Sequence, residues 1–99
     1  MIKKITIIGV GLIGGSLAKA LKNNNLAEVV FGFGRDISRL QEAQKNNIID
    51  QYSTDISGAL DGANIVVIAT PVGTFESILR ELKPYITEGM VITDVGSTK

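Results

Sequence analysis

The 99-residue sequence predicts an α/β domain, a doubly wound parallel sheet, from three observations. Apolar runs rich in β-branched residues alternate with segments of helical periodicity. Gly9, Gly11, Gly14 and Gly15 crowd the junction between the first apolar run and the first helical segment. Gly34 to Asp36, Thr70 to Gly73 and Gly96 to Ser97 fall just after later apolar runs. Those are the carboxyl ends of the expected strands, where sheets of this class bind ligands.

Each element has its own justification. Ile2 to Ile8 is a mostly β-branched run, the pattern of a strand buried on both faces. Leu12 to Lys22 reads as a helix, because Ile13, Leu17, Ala20 and Leu21 recur at i, i+4, i+7 and i+8. Asn23, Asn24 and Asn25 tolerate left-handed geometry and end it. Glu28 to Phe33 is a second strand. Ser38 opens the next helix, with Gln41 completing a capping box. That helix presents Leu40 and Ala43 and ends near Asn46 or Asn47. Ile48 to Asp50 and Tyr52 to Thr54 lead to a short segment whose type the pattern leaves open. Ile65 to Ala69 is the central strand. Thr74 caps a helix whose stripe is Phe75, Ile78, Leu79 and Leu82, and Pro84 closes it. Met90 to Val95 is the last strand.

Composition excludes several classes of function. A hydrophobic fraction of 44% supports a real core in one small domain, residues 1–99. Ten basic residues balance ten acidic ones, so there is no electrostatic footprint for nucleic acid. The absence of cysteine removes any disulfide signal. No run reaches the ~18 apolar residues of a membrane span. Met1 to Ala20 imitates a secretory signal, with Lys3 and Lys4 ahead of an apolar stretch and Ala18-Lys19-Ala20 after it. Its glycines argue against that, since each weakens an apolar helix by roughly 1 kcal/mol relative to alanine. The expectation is a soluble cytoplasmic protein.

The glycines have a chemical explanation. Gly9-Val10-Gly11-Leu12-Ile13-Gly14 is G-x-G-x-x-G between a strand and a helix, the Rossmann fingerprint. Gly9 permits the tight turn. Gly11 lets the backbone approach a pyrophosphate, and Gly14 lets the helix pack closely on the strand. Unpaired N–H groups at the helix start then meet the phosphates. A structural glycine turn is the competing account, and Gly15 contributes no more than packing relief. An acidic residue at the end of the second strand would hold the ribose 2′-hydroxyl of NAD. Gly34 stands there instead, followed by Arg35 and Asp36. Arg35 can grip a 2′-phosphate with charge-assisted bonds, which favours NADP over NAD. Two alternatives stay open. Asp36 could bend back to the ribose with Arg35 stacked on adenine, or the two could form a solvated pair. After the central strand, Ala69, Thr70, Pro71 and Val72 turn the backbone toward the nucleotide, because Pro71 cannot continue a ladder.

The stretch Asp94-Val95-Gly96-Ser97-Thr98-Lys99 is more distinctive. Together with "IIGVGLIGGSLAKAL" and "VVIATPV", in this order, it resembles the amino-terminal domain of the prephenate and arogenate dehydrogenases over essentially the whole chain. The resemblance implies a cytoplasmic NAD(P)-dependent oxidoreductase that oxidatively decarboxylates prephenate or arogenate in tyrosine biosynthesis. It implies a small-molecule substrate, a homodimer built through a helical second domain, and no nucleic-acid, membrane or metal partner. It assigns Gly96 to the cofactor and Ser97 to a hydrogen bond with the substrate hydroxyl or the catalytic base; a helix cap is the alternative for Ser97. The family's base is a histidine, and this chain has none. The expectation is therefore a fragment of a longer enzyme, truncated before the helical dimerisation domain and inactive by itself. Two other readings remain: the cofactor domain of a different NAD(P)-dependent dehydrogenase, and a non-catalytic nucleotide-sensing module.

Overall fold

The β-branched run at the amino terminus becomes the middle of a sheet. A computed structural model of the chain describes residues 2–9, 12–69 and 75–94. The elements run β1 (Ile2–Ile8), α1 (Leu12–Asn23), β2 (Ala27–Phe33), α2 (Ile37–Lys45), β3 (Gln51–Ser53), α3 (Ile56–Leu60), β4 (Ile65–Ile68), α4 (Phe75–Leu82), a 3-10 turn (Lys83–Tyr85) and β5 (Val91–Asp94). The five strands lie in the order β3-β2-β1-β4-β5, and every pairing is parallel.

Period-two alternation divides the core into two layers. On one face Ile5, Ile7, Val30 and Val67 meet Ala18 and Leu21 of α1 and Leu40 and Ala43 of α2. On the other, Ile8, Phe31, Phe33, Val66 and Ile68 meet Ala59 and Leu60 of α3 and Ile78 and Leu82 of α4. Helices therefore cover both faces, as the alternating pattern predicts. Burial of β1 is complete from Ile5 to Ile8, whereas Ile2 and Lys4 are half-buried and Lys3 is exposed. No helix among the described residues is long and apolar enough to cross a membrane.

The expected ends hold at two asparagines. Asn25 (φ 52°) and Asn47 (φ 62°) take left-handed backbone just after α1 and α2. The expected start of α2 does not hold. Its cap is Asp36, with extended backbone, and Asp36 Oδ1 accepts from the N–H groups of Ser38 (3.0 Å) and Arg39 (3.4 Å). Ser38 already lies inside the first turn, so the Ser38–Gln41 box is not used. A carboxylate at this position satisfies orphan donors and also meets the positive end of the helix dipole. The segment left open by the sequence resolves into β3 and α3. Each is too short to carry a periodic signal.

Polar side chains pin these elements together. Thr6 is fully buried, and its hydroxyl donates to the Ala59 carbonyl at 2.6 Å. Lys4 Nζ donates to the Gly58 and Asp61 carbonyls at the end of α3 (3.2 and 2.7 Å) and lies 4.2 Å from the Phe31 ring centre. Burial lowers the Lys4 pKa, and the nearby Asp61 charge opposes that shift.

Asp50 joins three elements. Its carboxylate accepts from Lys22 Nζ of α1 (2.5 Å) and from the Val30 N–H of β2 (2.8 Å). Its backbone carbonyl accepts from Gln44 Nε2 of α2 at 2.9 Å. Partial burial opposes ionisation of Asp50. The Lys22 and Val30 hydrogen bonds and the Lys22 charge outweigh it, so the pKa falls below the ordinary 3.8. A depressed folded-state pKa contributes stability that is full above the unfolded value and is lost as pH falls through the folded one. Asp50→Asn should therefore cost about 1 kcal/mol at neutral pH. In urea denaturation, the gap from the parent chain should close as pH drops below about 4.

Candidate functional site

Parallel register builds the site. Ile8 lies opposite Phe33 on one side and Ile68 on the other, and Ile68 lies opposite Asp94. The next residue of each inner strand extends this row at the carboxyl edge: Gly9, Gly34 and Ala69. The Gly9 N–H donates to the Phe33 carbonyl at 2.8 Å, and the Ala69 N–H donates to the Ile8 carbonyl at 2.9 Å. Here the chain order reverses, with β2 and β3 on one side of β1 and β4 and β5 on the other. Such a switch point opens a crevice between outgoing connections.

Gly9 leaves β1 with φ 89°, a conformation that side chains disfavour. Helix α1 starts at Leu12, so the backbone of Leu12, Ile13 and Gly14 forms its first turn beside that bend. No acidic residue occupies this turn, so none of its own side chains offsets the positive helix end and its orphan N–H groups. A Cβ on Gly14 would lie 2.5 Å from the Gly9 carbonyl oxygen, 3.2 Å from Ile7 Cγ2 and 3.3 Å from Ala69 Cβ. The bare α-carbon at residue 14 thus sets how closely α1 approaches β1 and β4. A Cβ on Gly15 would meet nothing within 4 Å. A left-handed turn, a first helical turn with no acidic residue and a close helix–strand contact fit a diphosphate.

At the end of β2, Gly34 has space for a side chain, since a Cβ there would meet only Leu40, at 3.7 Å or more. The missing carboxylate is therefore not imposed by packing. Arg35 projects into solvent and pairs with Glu81 of α4, Nη2 to Oε2 at 2.9 Å. It does not pair with Asp36, as one reading of the sequence had it. Asp36 caps α2 and lies 3.8 Å from Arg39. For Asp36 to reach a ribose it would have to release that cap.

The row accordingly gathers Gly9, Gly14, Gly34, Arg35, Asp36 and Ala69 at one edge, with Asp94 at the end of β5. Gly11, Thr70, Pro71, Val72, Gly96 and Ser97 lie outside the described residues, as do Val10 and the expected cap Thr74. The sequence reading missed Glu81. It lies 46 residues from Arg35 and off the apolar stripe of its helix. Only the placement of α4 against the end of β2 brings the two together.

Comparison with known proteins places this geometry in context. The family model "Prephenate dehydrogenase, nucleotide-binding domain" matches residues 17–99. The prephenate dehydrogenase of Lactococcus lactis subsp. cremoris is 36% identical over 99 residues, covering 98% of this chain and 27% of that protein. The crystal structure of Aquifex aeolicus prephenate dehydrogenase in complex with hydroxyphenyl propionate and NAD+ superposes with a TM-score of 0.91 at 31% identity. It covers 100% of this chain and 35% of its own. Synechocystis arogenate dehydrogenase gives a TM-score of 0.88 at 31% identity, covering 97% of this chain and 34% of its own. The chain thus spans about a quarter to a third of the length of these relatives.

Proposed function

The chain belongs to the prephenate dehydrogenase nucleotide-binding domain family, and we propose that it seats the nicotinamide dinucleotide, preferentially NADP, of a prephenate or arogenate dehydrogenase. The observation that carries this reading is a left-handed Gly9 at the end of β1 against a helix whose first turn is held close by Gly14. When bound, the nicotinamide supplies a hydride acceptor for oxidative decarboxylation of the substrate. The chain's own residues bind and orient. The backbone of Gly9, Gly11, Leu12, Ile13 and Gly14 receives the diphosphate. Gly34 leaves room at the ribose, and Arg35 supplies positive charge to a 2′-phosphate. Ala69 to Val72 and Gly96 bind the cofactor. Ser97 orients the substrate hydroxyl or the base that takes its proton. The chain has no histidine to act as that base. In this reading residues 1–99 are the cofactor domain of a larger, homodimeric cytoplasmic enzyme.

NAD is the second reading, favoured by the NAD+ named with the Aquifex aeolicus structure. Titration of the chain with NADPH and NADH, followed by nicotinamide fluorescence, separates the two. NADPH should bind about tenfold tighter, the lower end for a charge-assisted bond, because Arg35 is well exposed. Equal or tighter NADH binding would defeat the NADP preference. Failure to bind either nucleotide would defeat the dinucleotide reading.

A further inference from the structure

We infer that Glu81 is a specificity-setting residue for the dinucleotide: by holding Arg35, it limits how far the chain favours a 2′-phosphate over a 2′-hydroxyl. The inference rests on the reading that Arg35 faces the adenosine ribose. Arg35 Nη2 donates to Glu81 Oε2 at 2.9 Å, joining the loop after β2 to α4. The Arg35 side chain is 75% exposed, and among the described residues Glu81 is the side chain that holds it. Asp36, its neighbour in sequence, is committed to the α2 cap and to Arg39. The guanidinium fork that would receive a phosphate thus already has one corner on a carboxylate.

The two cofactors meet this arrangement differently. A 2′-phosphate brings up to two negative charges to Arg35. It must share the guanidinium with Glu81 and lie close to a like charge. A 2′-hydroxyl brings no charge and needs no part of the fork. Glu81 therefore acts on the difference between the two affinities, and specificity is that difference. Its effect is limited by exposure, since water and salt screen a surface pair.

The test is a double-mutant cycle on the chain, with NADPH and NADH as probes and nicotinamide fluorescence as readout. Glu81→Gln keeps the shape and removes the charge. It should tighten NADPH about three- to fivefold, the scale of an exposed ion pair, and leave NADH within about 1.5-fold. In an Arg35→Ala background the same substitution should leave NADH unchanged and move NADPH by less than about twofold, because only screened like-charge repulsion remains. Unchanged or weaker NADPH binding in Glu81→Gln would overturn the inference, as would equal tightening of both nucleotides. If the parent chain binds both nucleotides and only the Glu81 effect is missing, the role of Glu81 falls and the dinucleotide reading stands. If the parent chain binds neither, both fall.

Discussion

Gly14→Ala is expected to destabilise the chain by about 2–3 kcal/mol and to weaken dinucleotide binding at least tenfold. The added methyl would lie 2.5 Å from the Gly9 carbonyl oxygen, with Ile7 Cγ2 and Ala69 Cβ at 3.2 and 3.3 Å. None of these is the far end of a flexible side chain. One is backbone at a positive-φ turn, and the others are short groups on β1 and on the residue that follows β4. Relief requires α1 to lift away from β1, and its first turn is where the phosphates are expected to be held. Stability and binding should therefore fail together. Gly15→Ala is the internal control. Its Cβ meets nothing within 4 Å, and alanine in a helix is better than glycine by up to about 1 kcal/mol. Urea denaturation and NADPH titration of both variants decide the matter. If Gly14→Ala behaves like Gly15→Ala, close approach of α1 is not what residue 14 provides.

Gly34→Asp should reverse the cofactor preference at little cost in stability. Its Cβ would make ordinary contacts with Leu40 at 3.7–3.9 Å, and the backbone needs no unusual φ. The new carboxylate would stand at the carboxyl end of β2, one residue past Phe33, which faces Ile8 across the ladder. From there it accepts a hydrogen bond from a ribose 2′-hydroxyl and repels a 2′-phosphate. A charge-assisted bond of about 1.5 kcal/mol corresponds to roughly tenfold tighter NADH. NADPH should weaken by a similar factor, through repulsion and through competition of the new carboxylate for Arg35. Unchanged NADPH affinity, with melting within a few degrees of the parent chain, would show that the 2′ position does not lie at the end of β2.

How much of this was legible beforehand differed by element. The strands at Ile2–Ile8, Ala27–Phe33 and Ile65–Ile68 stand out because burial on both faces demands nearly continuous apolar residues. The helix stripes at Leu17 and Leu21 and at Ile78–Leu82 stand out because one face of each meets the sheet, although in α1 it is Ala18, and not the exposed Ala20 of the expected stripe, that completes the face. The three-residue β3 did not, since its short edge pairing with Phe31–Phe33 requires little apolar character. The start of α2 was misplaced because Asp36 and Ser38 are both good caps, and the choice between them depends on where β2 ends.

The amino-acid sequence by itself determined the order of strands and helices apart from β3 and α3, the run of glycines after β1 and the absence of an acid at residue 34. Each of these is written in local residue type: a missing Cβ, a β-branched run or an apolar stripe needs no distant partner to be recognised. Tertiary structure alone decided that Arg35 meets Glu81, that Asp50 links Lys22 to Val30, and that Lys4 reaches the end of α3. Those pairs lie 20 to 57 residues apart in the chain. Charged side chains on an exposed face carry no pattern that names a partner. The crossovers that stack α1 and α2 on one face of the sheet, and α3 and α4 on the other, choose which charges meet.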